Sequence, residues 1–346
     1  MSAAPSNLPA MAREAAETSA ATQRQIERCA PLFKLFAAKM QELRPAFVVT
    51  CARGSSDHAA SYGKYLIETR LGLPVASIGP SIASVYKAPL KLQGGLFIAV
   101  SQSGRSPDLL RLTEAALAAG AYVVCLVNDE DSPLAQLSNL FIPLCAGKET
   151  SVAATKSYLT AAFAFLQLVA YWQDDAVLKR QVEAVPAWLS AAAQLDWNPA
   201  LQTLLKAQGL FVIGRGLGTG AANEMALKFK ETCRLHAEPF SAAEVIHGPL
   251  ELAGPDFPAI VLTQRDETAA SSAAVIRRLL DLQAPVLSTD STAAGIIPLP
   301  VLPDLPPEVA PLAAVQSFYM AVHSLATARG RNPDRPAHLL KVTETM

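Results

Sequence analysis

The chain is written twice. Phe47-Val-Val-Thr-Cys-Ala-Arg-Gly54 is an apolar run entering a glycine turn, and so is Leu210-Phe-Val-Ile-Gly-Arg-Gly216. From Gly54 to Ser101, where the next apolar run ends, is 47 positions; from Gly216 to Thr263, at the end of Ala259-Ile-Val-Leu-Thr, is again 47. Asn128 closes the run Tyr122–Val127 at 74 positions past Gly54, and Thr289 closes Pro285–Ser288 at 73 past Gly216. Two shorter runs follow, Leu140-Phe-Ile-Pro-Leu and Gly295-Ile-Ile-Pro-Leu. Each series then enters a long apolar segment, Thr155–Trp172 or Ala310–Arg329. Short apolar runs alternating with helix-length segments specify parallel strands covered by helices. A pattern repeated at matching offsets therefore constrains the chain to an α/β architecture of two tandem αβα domains, each a mostly parallel sheet flanked by helices.

Boundaries follow from the same pattern. Residues 1–45 are expected to form an N-terminal helical segment, one or two helices broken near Pro31. The first domain then spans 46–175, and 176–200 is a helical connector in which Leu178, Val182 and Val185 recur at helical spacing. The second domain spans 201–330, with a proline-rich loop at Pro298–Pro311, and 331–346 is a C-terminal tail. With 346 residues, 51% apolar and 17% charged, each half can bury a core. A net charge of -1 offers no electrostatic footprint for nucleic acid and no basic block for a membrane surface. No secretion signal is read in Met1–Pro9, and the apolar stretches are too short to span a bilayer. The five cysteines form no CxxC pair, and Cys51, Cys125 and Cys145 lie in apolar runs. Buried reduced thiols and a cytoplasmic location are expected.

The halves differ where their strands end. In the first, Leu96–Val100 leads through Ser101-Gln-Ser-Gly-Arg-Ser-Pro-Asp108 into the helix-like Leu109–Ala119. Such a loop presents hydroxyls, an amide and backbone N–H groups beside the positive end of a helix, which is chemistry for holding phosphate. Ser106 suits the N-cap and Pro107 the first helical position. The plain alternative is a polar turn that caps a helix. The loop's place at the carboxyl end of a parallel strand, where open α/β sheets bind ligands, favours phosphate. The same half carries Gly54-Ser55-Ser56 and Val152-Ala-Ala-Thr-Lys156.

In the second half the matching loop is Thr263-Gln-Arg-Asp266, without serines. Instead this half carries Glu224, Lys228 and Glu231 at i, i+4 and i+7, on one helical face. A solvated Glu–Lys face is the alternative. Ala226, Leu227 and Phe229 mark the helix as buried, and such surroundings suit a carboxylate to act as a base near neutral pH. Ser241-x-x-Glu244 reads as a capping box opening a short helix that Gly248-Pro249 stops. That would put His247 at a negative helix end, able to exchange protons around neutrality. His236 reads as structural.

In these motifs the chain resembles the sugar isomerase (SIS) family, above all the isomerase half of glucosamine-6-phosphate synthase and the stand-alone deaminases related to it. The resemblance runs in order from Met11-Ala-Arg-Glu14 through Gly54-Ser-Ser, Ser101-Gln-Ser-Gly, Val152-Ala-x-Thr-Lys, Lys228-x-Lys-Glu231, His236-Ala-Glu and Glu244-x-x-His247-Gly-Pro to Pro336-x-x-Leu-x-Lys341. It implies that Gly54, Ser55, Ser56, Ser101, Gln102, Ser103 and Ser106 hold the sugar phosphate and nearby hydroxyls. Val152 would contact the sugar through its backbone, and Ala154 stands where the synthase has serine. Glu231 would be the base that moves a proton between C1 and C2, and His247 would open the sugar ring. Lys341 would engage the open-chain carbonyl, its amine made nucleophilic if the tail folds over the site. Arg105 replaces an acidic residue of the family and is free to lean toward phosphate.

The function this implies is an aminosugar-phosphate deaminase/isomerase, most simply glucosamine 6-phosphate to fructose 6-phosphate and ammonia, with no metal and no organic cofactor. The opening Met1-Ser2-Ala3 leads to the expectation that a glutamine-hydrolysing domain is absent, which points to the degradative direction. Three other readings stand: a fructosamine-phosphate deglycase, a galactosamine-6-phosphate deaminase/isomerase, and a non-catalytic phosphosugar-sensing protein. A small-molecule phosphosugar is the expected partner, with no nucleic acid and no membrane. The resemblance also implies a homodimer in which each site borrows His247 across a two-fold interface.

Overall fold

The computed structural model describes residues 8–290 and 292–341. In chain order its elements are α1 (Ala10–Ala16), α2 (Thr18–Leu43), β1 (Val48–Cys51), α3 (Ser55–Leu71), β2 (Val75–Ser77), α4 (Ser81–Ser84), β3 (Leu96–Ser101), α5 (Pro107–Ala118), β4 (Tyr122–Val127), α6 (Pro133–Gln136), β5 (Leu140–Pro143) and α7 (Lys156–Trp172). Then come α8 (Ala176–Ala192), α9 (Asn198–Gln202), β6 (Gly209–Gly214), α10 (Gly218–Cys233), β7 (His236–Ser241), a 3-10 turn (Pro249–Leu252), β8 (Ala259–Val261), α11 (Ala269–Asp281), β9 (Val286–Ser288), β10 (Ile297–Pro298) and α12 (Ala310–Ala328). The described chain divides into two compact units: 20–149 with 156–186, and 8–19 with 150–155 and 187–341.

The first unit holds a five-stranded sheet in the order β2-β1-β3-β4-β5, every neighbouring pair parallel. All six residues of β3 are buried, as a parallel strand covered on both faces requires. On one face Val49, Cys51, Phe97, Ala99 and Val123 meet Leu109, Leu112 and Ala116 of α5. On α7 every residue from Lys156 to Ala170 is buried, the signature of a helix apolar all round. It packs on α3 at Gly63, where a Cβ would fall 2.3 Å from the Phe165 ring. From β1 the chain moves outward to β2; from β3 it moves the other way, to β4. The strand order therefore switches direction between β1 and β3, and the two loops leaving those strands face the crevice where such sheets bind ligands.

The second unit repeats the plan, in the order β7-β6-β8-β9-β10, again all parallel. The sequence repeat is thus a topological repeat, with β6 in the place of β1 and β8 in the place of β3. Phe211, Ile213, Ala259 and Val261 pack on Val275, Ile276 and Leu279 of α11. The buried helix α12 packs against α1, α9 and α10.

One expectation about local structure is corrected, and two strands went unread in the sequence. The N-terminal helices do not break near Pro31, which lies inside α2. The break falls at Glu17, whose N–H turns back to the Glu14 carbonyl, while the Thr18 hydroxyl donates to the Ala15 carbonyl at 2.7 Å. A proline inside a helix removes one hydrogen bond, and α2, at 26 residues, has turns enough on either side to continue through it. Apolar patterning did not reveal the two strands. Both β2 and β7 are edge strands at equivalent positions of the two sheets. The three-residue β2 has two exposed positions, and β7 contains His236, Glu238 and Pro239. An edge strand is paired on one side only, so it tolerates polar residues and proline. All five cysteines are buried and unbridged, and no described helix is long and apolar enough to cross a membrane.

Candidate functional site

The serine loop is built at the switch point of the first sheet. β3 ends on Ser101, whose hydroxyl accepts the Gly104 N–H at 2.9 Å, while the Ser103 hydroxyl faces the Arg105 N–H at 3.4 Å. These contacts curl the loop so that Gly104 adopts φ +62°, where a Cβ would lie 2.2 Å from Ser132 Oγ. Only glycine fits there. Ser106 occupies the N-cap of α5 with Pro107 at N1, as expected, but its side chain makes no cap hydrogen bond. The neighbouring loop turns on Gly54, at φ 53° and ψ -131°, and places Ser55 and Ser56 in the first turn of α3. Two helix N-termini therefore open at the carboxyl ends of two adjacent strands, with Gln102, Ser103, Ser106, Ser55 and Ser56 all partly buried.

An ion pair ties these loops together. Arg53, just before Gly54, donates to the buried Asp108 of α5 at 2.9 and 3.2 Å. Arg105 does not lean toward the serines; it binds Asp129 at 2.8 and 3.0 Å on the outer side of the loop. Two thiols within the sheet, Cys51 of β1 and Cys125 of β4, are each pushed up to about 12 by burial and stay protonated.

In the second unit, α10 carries the acidic face. Glu224 and Lys228 are fully buried, so the face is not solvated. The Lys228 ammonium lies 3.3 Å from Glu224 and 2.5 Å from Glu231, and Tyr319 donates its hydroxyl to Glu224 at 2.6 Å. Burial works against the charged lysine, yet the two carboxylates outweigh it and hold Lys228 above its ordinary range. Glu231 keeps 19% of its side chain exposed. Its surroundings are therefore not simply apolar, as the sequence suggested: one carboxylate oxygen is fixed by an ammonium while the group still reaches the surface.

His247 does not end a helix. Ser241 is the last residue of β7, and its hydroxyl accepts the Ala243 N–H at 3.3 Å instead of capping a helix. The backbone from 241 to 248 forms successive turns, with His247 N–H on the Glu244 carbonyl, and His247 is exposed. Strand pairing holds Ser241 against Gly214, so the chain enters the segment extended and cannot start the expected helix there. No hydrogen bond among the described residues joins His247 to Glu231.

The loop bearing Val152 and Ala154 is clamped by residues that the sequence reading gave no role. The buried Glu14 carboxylate accepts the Thr150 N–H at 2.5 Å, the Thr150 hydroxyl at 2.7 Å and the Ser151 N–H at 3.1 Å. Asp334 accepts the Ala10 and Met11 N–H groups at 2.7 and 2.8 Å, capping α1, and its carbonyl faces the Val152 N–H at 3.4 Å. So α1 couples this loop to the segment leading to the partly buried Lys341. Glu14 lies in the Met11-Ala-Arg-Glu14 motif, a signal without a partner until the fold brings residue 150 to it. Among the described residues no cluster of His, Cys, Asp and Glu is arranged to hold a metal ion.

The SIS domain profile matches residues 47–171 and 203–328, one copy in each half. The glutamine–fructose-6-phosphate aminotransferase of Symbiobacterium thermophilum is 32% identical over 326 residues, 89% of this chain and 52% of that protein. The chain spans about half the length of the curated relatives it matches. A protein of Silicibacter pomeroyi DSS-3, provisionally named a phosphosugar isomerase, superposes with a TM-score of 0.89 at 41% identity, covering 94% of this chain and all (100%) of that one. Glucosamine-6-phosphate deaminase of Thermotoga maritima shares the fold, with a TM-score of 0.72 at 20% identity over 95% of this chain and 100% of its own.

Proposed function

Because the chain belongs to the SIS domain family and carries that domain twice, we propose that it is an aminosugar-phosphate deaminase/isomerase whose simplest substrate is glucosamine 6-phosphate. The observation that carries this reading is Glu231, a partly exposed carboxylate fixed 2.5 Å from a buried ammonium on α10. That is a base with a set position and an adjacent positive charge. The switch-point hydroxyls of Ser101, Ser103, Ser106 and Ser56 grip the phosphate, aided by the N-termini of α3 and α5.

His247 opens the ring by exchanging a proton at the ring oxygen, and its exposed turn suits service in the site of a neighbouring copy. Lys341 engages the C1 carbonyl of the open chain. Glu231 removes the C2 proton, exchanges it with solvent through its exposed edge, and delivers a proton to C1; the carbonyl oxygen gains a proton and the nitrogen loses one, leaving an imine at C2. Water adds to C2, the C–N bond breaks, and ammonia and fructose 6-phosphate leave. Release needs no ammonia donor, so it is the direction these residues can run by themselves.

Incubation with a panel of aminosugar phosphates tests this through the ammonia released. Glucosamine 6-phosphate is expected to give equal amounts of ammonia and fructose 6-phosphate. Ammonia from a fructosamine phosphate or galactosamine 6-phosphate alone would move the specificity, and none from any member would leave a binding protein.

A further inference from the structure

The second sheet has its own switch point, between β6 and β8, and there the second unit encloses a cavity of about 540 Å³. That volume is within the range of small-molecule sites, roughly 300–1,000 Å³. None of the residues given a role above lines it. One wall is polar, with Thr263, Gln264, Thr289 and Asp290; the other is apolar over Leu299–Leu302 of the proline-rich loop and Ala313 and Ala314 of α12, while Asp304 of the same loop is engaged by Arg265.

The contrast with the first sheet lies at the helix end. Where α5 is preceded by serines, α11 is preceded by Asp266, which turns its own carboxylate onto the entry to the helix. Asp266 Oδ1 accepts the Thr268 N–H at 2.8 Å and the Thr268 hydroxyl at 2.5 Å. The buried amide of Gln264 reaches the same carboxylate at 3.4 Å and the Arg215 carbonyl at 3.0 Å. A built-in anion thus stands at the entry to α11, next to the cavity-lining Gln264 and Arg265, where a phosphate would otherwise be favoured. Arg265, at the mouth, is neutralised by Asp304 at 2.6 Å.

We propose that this cavity binds an uncharged nucleoside, its base against the Leu299–Leu302 wall and its ribose hydroxyls on Thr263, Gln264, Thr289 and Asp290, and that Asp266 excludes the phosphorylated form. A free hexose carries hydroxyls all round its ring and would set some of them against leucine and proline. A nucleoside separates a flat apolar surface from its hydroxyls as the two walls do. The inference stands apart from the reaction proposed above.

Adenosine and adenosine 5′-monophosphate, titrated calorimetrically into the full chain, test it. Adenosine is expected to saturate, and the monophosphate to bind at least about tenfold more weakly, since like charges brought together are penalised. In Asp266→Ser that gap is expected to close. Ala314→Phe, which fills the cavity, is expected to abolish adenosine binding while keeping a cooperative thermal transition; should it not fold, the Asp266→Ser titration still decides. The proposal is overturned if adenosine does not saturate, if the monophosphate binds the parent as tightly, if the gap persists in Asp266→Ser, or if folded Ala314→Phe binds adenosine like the parent.

Discussion

At the scale of single residues, α10 holds charges where water is scarce. Lys228 sits between Glu224 and Glu231, and Glu224 is fully buried. Removing one member of a buried ion pair typically costs about 3–5 kcal/mol, because the remaining charge loses its compensation. Lys228→Met is therefore expected to lower stability by that order in urea titrations, and Glu224→Gln combined with it to recover part of the loss. An effect below about 1 kcal/mol would mean that the lysine matters little to the fold. On the gripping side, each hydroxyl lost from a phosphate contact removes roughly 1.5–3 kcal/mol. The double variant Ser101→Ala with Ser103→Ala should raise KM by orders of magnitude with the unfolding transition retained. An unchanged KM would move the phosphate site elsewhere.

Elements show what a sequence can and cannot disclose. The inner strands were legible because both their faces are buried, so β1, β3, β6 and β8 read as unbroken apolar runs. The edge strands β2 and β7 lacked that signal, and the segment before His247 looked like a capped helix because Ser241, Glu244 and Gly248 stand at the right spacing. Strand pairing of Ser241 with Gly214 overrode the local pattern. The serine loops and Glu231 were readable as motifs, whereas the clamps of Glu14 and Asp334 span more than a hundred residues and leave no local trace. Helix α12 gives a test at this scale. Burial holds His323 below its ordinary 6.5, against the opposing influences of the Met320 backbone and Asp334. As pH falls below about 6.5 the unfolded chain takes up a proton that the folded chain resists, so stability declines there and is flat above. His323→Gln should flatten that acid-side decline in thermal melts between pH 7 and 5.

At the scale of the whole molecule, one fold plan occurs in two versions: the first copy keeps hydroxyls at its switch point, and the second carries Asp266 at the equivalent helix entry. We expect the assembly to be a homodimer in which His247 serves a neighbouring site. Mixing Glu231→Gln with His247→Ala subunits under exchanging conditions should then restore activity that neither variant has alone. A fully active monomer in sedimentation would contradict this. Turnover of glucosamine 6-phosphate in deuterated water tests whether Glu231 carries the proton between C1 and C2. The parent should place solvent deuterium at C1 of fructose 6-phosphate. Glutamine keeps the shape of glutamate and cannot accept the proton, and a general base is worth roughly 10²–10⁴-fold. Glu231→Gln should therefore lose kcat by that factor with KM nearly steady, and incorporate deuterium correspondingly more slowly. Turnover and deuterium incorporation by Glu231→Gln at the parent rate would contradict the account.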